Sequence, residues 1–249
     1  MLGSANRGSR GRDPSLMWAE YEELNTRKGK LRPELSRTAT AEKNLPARCQ
    51  TCSLEHMPPD SAFSSFPVLS TSRFHLRQIQ PSDAEAVFQI KSDPEVTHCY
   101  GREAHRSLQE TQAWIQRIQD TYAQHEGIMW AITFKTRDFP IGTCNYWPLD
   151  PGSHCAEIGY ELNRTTWGQG IMSEVLPIVI SYGFKQLDLN RIEATPLGKN
   201  KRSSNVLVKL GFTHEGTLRQ RVLFRDSYED QMYFGLLRNE WTEAAAPRE

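Results

Sequence analysis

No apolar run in the 249 residues approaches the roughly 18 that a membrane-crossing helix needs, so no membrane association is expected. Charge of one sign is missing too: 30 Lys and Arg stand against 30 Asp and Glu, a formal net charge of zero. A dedicated nucleic-acid binder carries a basic surplus, so direct nucleic-acid binding is not expected. Cysteine is sparse and odd in number, five in all, which excludes a secreted disulfide framework and fits a reducing, cytoplasmic setting. There is no GxxxxGK[ST] loop, and no GxGxxG turn with an acid about 20 residues beyond it. His98, His105 and His154 lack metal-ligand spacing, so no metal is expected.

The apolar residues present are unevenly spread. Residues 1–70 hold Pro14, Pro33, Pro46, Pro58, Pro59 and Pro67 and only isolated long apolar side chains. Such a stretch buries too little surface to offset its ordering entropy. It reads as a poorly ordered extension, with one short amphipathic helix near Leu16–Leu24. It lacks the apolar segment of a secretory signal, and Asp13, Glu20, Glu22 and Glu23 speak against a mitochondrial transit peptide. Cys49 and Cys52 form a CxxC without a second ligand pair and read as exposed thiols rather than a zinc site.

From residue 71 to 242 the pattern is that of one folded domain, followed by a short tail, 243–249. Ser72–Gln80 reads as a strand with Phe74 and Leu76 on one side. A helix follows from Pro81, and a second carries Leu108, Ile115, Ile118 and Tyr122 at helical spacing. Ile128–Phe134 and Phe139–Trp147 read as strands, with Cys144 and Cys155 expected to face each other across the turn at Asp150–Gly152. Cys155–Leu162 alternates: Ala156, Ile158, Tyr160 and Leu162 take one side, Glu157 and Glu161 the other. The turn WGQG opens a helix reaching about Leu187, which Pro177 is expected to kink. A strand at Arg191–Thr195, a helix at Asn200–Leu210 and a hairpin turning at Arg225–Ser227 complete the order. Strands without helices between them pair antiparallel, and the one strand–helix–strand unit after Leu162 allows a parallel pair. The fold class is therefore α/β (α+β), a mixed sheet with helices on its faces. Strand, glycine turn and helix N-terminus together make an anion-binding arrangement, because backbone N–H groups and the helix dipole converge there.

These segments also carry a resemblance. AEIGYELNRTTWGQGIMSE followed by NRIEATPLGKNKRSSNVLVKLGF resembles the GNAT superfamily of acetyl-CoA-dependent N-acetyltransferases, most of all its RimJ/RimL-like branch of ribosomal-protein N-terminal acetyltransferases. The similarity runs from about Ser72 to Trp241. It implies a mostly antiparallel mixed sheet with helices on both faces and a splayed strand pair that takes acetyl-CoA, the co-substrate. The pyrophosphate would rest on the backbone of Trp167, Gly168, Gln169, Gly170, Ile171 and Met172. The pantetheine arm would run beside Ile158, Gly159, Tyr160 and Leu162, with Gly159 allowing close backbone approach. Asn200 would bind pantetheine, serve as a helix N-cap, or both. Glu157 and Glu193 are the candidate bases, with Glu161 a weaker third; each is otherwise an ordinary strand residue. Many superfamily members place an acidic Tyr where this chain has Leu207, so Ser203 is the candidate partner of the leaving thiolate, or else a first-turn helix residue. The resemblance implies direct transfer to an amine, first of all a protein N-terminal α-amine. A small-molecule amine (polyamine, amino acid or amino sugar) and a non-catalytic acyl-CoA-binding module are the alternatives. Ser92–Arg106 and Leu223–Tyr228 would set the acceptor, and a homodimer is compatible with this reading.

Overall fold

The computed structural model describes residues 62–242. The expected helix near Leu16–Leu24, the Cys49–Cys52 pair and the tail 243–249 lie outside the described residues. The elements in chain order are β1 (Leu69–Ser70), β2 (Phe74–Gln78), α1 (Ala84–Lys91), α2 (Pro94–Thr97), α3 (Leu108–Ala123), β3 (Ile128–Phe134), β4 (Arg137–Asp150), β5 (Cys155–Leu162), α4 (Ile171–Lys185), β6 (Arg191–Ala194), α5 (Lys201–Lys209), β7 (Thr213–Phe224) and β8 (Ser227–Leu237). The strands form one sheet in the order β1-β2-β3-β4-β5-β6-β8-β7. Every neighbouring pair is antiparallel except β5 and β6, which α4 joins as a parallel pair. This is the mixed, mostly antiparallel sheet that the sequence implies.

Side-chain alternation along β3 divides the core. Ile128, Trp130 and Ile132 join Val175, Leu176, Val179 and Ile180 of α4 on one face. Ala131 points the other way, onto Ala84 and Val87 of α1 and Ile115 of α3. Helices therefore cover both faces. Side-chain caps start α2 and α3: Asp93 accepts from the Glu95 amide at 2.9 Å and Ser107 from the Glu110 amide at 3.2 Å.

Several expectations change. The packed domain begins before residue 71: Phe63 is buried in the core and the Trp130 indole donates to the Pro67 carbonyl at 2.7 Å. α4 ends at Lys185, two residues short of the expected Leu187, and contains Pro177, which is buried. Cys144 and Cys155 do not face each other; Cys144 lies opposite Tyr160 and Cys155 opposite Asp150. The register of β4 and β5 separates them, because β4 runs on to Asp150 rather than ending at Trp147, while β5 begins at Cys155 as expected.

Gly183 of α4 lies under Tyr146, whose hydroxyl donates to the Val179 carbonyl at 3.0 Å. A Cβ at Gly183 would sit 2.5 Å from that hydroxyl oxygen. Gly183→Ala should cost about 1–3 kcal/mol by overpacking. Thermal or urea unfolding measures it, and an unchanged midpoint would mean that Tyr146 can shift freely.

Candidate active site

β5 and β6 pair through Cys155–Arg191, Ala156–Ile192 and Glu157–Glu193, and no further. β5 continues from Ile158 to Leu162 with β4 as its neighbour, while β6 ends at Ala194. The strands thus part at the Glu157–Glu193 level. Beyond β5, Trp167 is extended, Gly168 has φ +77° and Gly170, the N-cap of α4, has φ +71°. Both glycines hold left-handed backbone, which other residues adopt at a cost. A Cβ at either would meet nothing within 4 Å, so their backbone faces open space. The first-turn amides and dipole of α4 make this a fitting cradle for phosphate.

The turn is braced from several sides. The Trp167 indole donates to the Leu162 carbonyl at 3.0 Å, and the Arg202 guanidinium lies 4.5 Å from the Trp167 ring centre. Glu174, in the first turn of α4, would by itself repel an anion. Its carboxylate is instead committed to the segment before β2: it accepts from Thr71 Oγ1 at 2.6 Å, Ser72 Oγ at 2.8 Å and the Arg73 amide at 3.0 Å, and pairs with Arg73 Nε at 2.6 Å. Burial alone would raise its pKa, but these donors outweigh it and hold the group at about 2.

Glu157, Gly159 and Glu161 share the α1/α3 face of β5. Glu157 accepts from Thr195 Oγ1 at 2.6 Å. Burial pushes its carboxyl above the ordinary range, the Glu193 charge adds to this, and Thr195 and Arg102 only partly offset it. The parallel register sets Glu193 beside it, but Glu193 is bound to Arg191 at 2.7 Å, and Arg191 also pairs with Glu215. Glu161 is buried and saturated: Lys91 Nζ lies at 2.7 Å, Tyr100 donates at 2.7 Å and Thr143 at 3.0 Å. Burial opposes its charge, yet Lys91 and the two hydroxyls hold its pKa below the ordinary value. Glu157 thus has a raised pKa and a neutral hydroxyl partner, whereas Glu161 and Glu193 are each bound to a cationic side chain.

The opposite face of β5 carries Ile158, Tyr160 and Leu162 toward the α4 core. Tyr160 Oη lies 2.8 Å from Ser203 Oγ. Asn200 caps α5 by accepting from the Ser203 amide at 3.2 Å, and its Nδ2 donates to the Cys99 carbonyl at 3.2 Å. Leu207 is core. At Gly159 the close neighbour is the Asn145 side chain of β4, 2.8 Å from where a Cβ would lie. Sequence reasoning did not single out Thr195, Arg102, Asn145, Tyr100 or the hydroxyl of Tyr160. Parity with Glu193 could have pointed to Thr195; the pattern of the 98–103 loop carries no signal for Tyr100.

The GNAT acetyltransferase domain family matches residues 73–213, more than half of the chain, and the chain belongs to this family. It is an N-acetyltransferase with RimJ/RimL-like relatives. It is 42% identical over 155 residues to YoaA of Bacillus subtilis, an uncharacterized N-acetyltransferase, covering 62% of this chain and 88% of that one. It is 36% identical to the N-acetyltransferase p20 of Bacillus licheniformis, covering 70% and 97%. Over 41% of this chain and 53% of the relative it is 32% identical to the ribosomal protein uS5-alanine N-acetyltransferase of Escherichia coli. Among solved structures, RimL, a ribosomal L7/L12 α-N-protein acetyltransferase in complex with coenzyme A, superposes with a TM-score of 0.64 at 22% identity, covering 69% and 98%. Among the described residues, no helix is long and apolar enough to cross a membrane and no cluster of three His, Cys, Asp or Glu could hold a metal.

Because the folded pKa of Glu174 lies below its ordinary 4.5, its contribution to stability is complete above that value and is lost as pH falls toward about 2. Glu174→Gln should therefore be less stable than the native chain at neutral pH, with the gap closing over that acid range. A gap that stays constant down to the acid limit would contradict the clamp.

Proposed function

We propose that the protein transfers the acetyl group of acetyl-CoA by direct attack to a primary amine, with a protein N-terminal α-amine as acceptor and Glu157 as the base. The observation that carries this reading is the end of β5–β6 pairing at Glu157, followed along β5 by the glycine turn and the start of α4. Acetyl-CoA supplies an activated carbonyl: the C–N bond forms as the C–S bond breaks and CoA leaves as a thiolate. The backbone of Trp167–Met172 holds the pyrophosphate, and the β5 edge from Ile158 to Leu162 lines the pantetheine arm. Glu157 takes the proton released by the attacking nitrogen, directly or through water. The Tyr160–Ser203 hydroxyl pair lies on the other face of β5 and offers the thiolate a hydrogen bond. Nucleophile and leaving group are thus served from opposite faces of one strand, and orientation supplies much of the rate.

The E. coli relative named for uS5 alanine supports an α-amine acceptor. So does the ordinary α-amine pKa, about 7.7–8.0, which leaves a useful neutral fraction that a Lys side chain lacks. A mass-spectrometric screen of ribosomal-protein N-terminal peptides against polyamines, amino acids and amino sugars tests the acceptor. Acetylated α-amines are expected; acetylation of small amines alone would overturn that part.

Glu157→Gln should lower kcat/KM by roughly 100-fold. It should also remove the acid limb belonging to the carboxyl and leave the limb of the amine. An unaltered pH profile would exclude Glu157 as base. Gly170→Val should abolish acetyl-CoA binding in calorimetry, and unchanged affinity would exclude the turn.

A further inference from the structure

We propose that residues 98–103 form a fixed strap over the Glu157 face of β5, and that the Tyr100–Glu161 hydrogen bond makes Tyr100 a positioning residue for the acceptor amine. The link to the acceptor rests on the function proposed above; the strap itself does not.

The strap is tied at several points. Where it leaves α2, the Arg102 amide donates to the Thr97 carbonyl at 3.1 Å, and beyond it the His105 amide donates to the Lys91 carbonyl at 2.9 Å. Gly101 has φ +69°, a Cβ there would lie 3.4 Å from the Leu197 side chain and 3.5 Å from that of Val222, and the His98 ring lies 5.3 Å from that of Phe224. Glu103 pairs with Arg225 at 3.1 Å, at the tip of the β7–β8 hairpin. Asn200 holds the Cys99 carbonyl. In its middle, Tyr100 reaches Glu161, on the same face of β5 as Glu157.

That anchor is costly to build. Lys91 and Glu161 are an ion pair with little solvent access, and desolvation of both charges offsets much of their attraction. What the pair provides is a carboxylate held in one orientation by Lys91 and Thr143, to which one phenol of the strap can bond. The Lys91 ammonium also lies 4.3 Å from the Trp114 ring centre, which leaves it little freedom. The groups acting on Glu157 are Thr195, just beyond β6, through its hydrogen bond, Glu193 of β6 and Arg102 of the strap. Burial is the largest of the influences on that carboxyl, larger than the opposing pull of Arg102.

The test compares Tyr100→Phe with Thr143→Val in the full chain. Each variant removes one hydroxyl from Glu161, but only the first removes it from the strap. Tyr100→Phe should speed amide hydrogen exchange across 98–103 and raise the KM for the acceptor about tenfold. The KM for acetyl-CoA should stay within about twofold. Thr143→Val should lower the unfolding midpoint while leaving exchange across 98–103 and the acceptor KM as in the native chain. Native exchange across 98–103 in Tyr100→Phe would overturn the strap, and so would equal rises in acceptor KM in both variants. If no α-amine is acetylated by the native chain, the acceptor reading fails, and the exchange comparison still decides the strap.

Discussion

Between the last β5–β6 pair, Glu157–Glu193, and the turn at Trp167, β5 has lost its neighbour on one side. A strand edge inside a sheet exposes amides and carbonyls that need partners. The parallel crossover makes this possible: α4 must leave the end of β5, and its N-terminus therefore lies where β5 and β6 diverge. Strand edge, glycine turn and helix dipole then face one region, and no single residue type could produce that arrangement.

The surroundings of this opening are held by charged groups with fixed partners rather than by apolar packing alone. Glu174 fastens the start of α4 to residues 71–73, and its bonds draw away the one acidic charge in the first turn of that helix. Glu161 fastens the other side through Lys91, Tyr100 and Thr143. Three glutamates of the site region thus differ in chemistry through their neighbours. Glu161 and Glu174 are stabilised as anions, whereas burial leaves Glu157 ready to take a proton. Glu193 has the same register position as Glu157 but is neutralised by Arg191.

Local pattern carried much of this. Alternation in CAEIGYEL placed Glu157 and Glu161 on one face, and WGQG marked both the turn and the helix start, because period and backbone freedom are written in neighbouring residues. The strap was not legible: Tyr100 meets a carboxylate 61 residues away, and no local period encodes that contact. The contacts of Phe63 with Tyr122 and His125 and the Trp130–Pro67 hydrogen bond were missed for the same reason, since a proline-rich stretch looks unable to pack until its distant partner is present. The crowding of Gly159 by the Asn145 side chain of β4 was not legible either, since it is a contact between strands that no local period encodes.

On the function proposed above, acetyl-CoA occupies the opening between β5 and β6 and the turn beyond it. Amide hydrogen exchange of the native chain with and without acetyl-CoA tests this most directly. New protection confined to Ile158–Leu162 and Trp167–Met172 is expected. Protection that appears elsewhere, with these two segments unchanged, would contradict it.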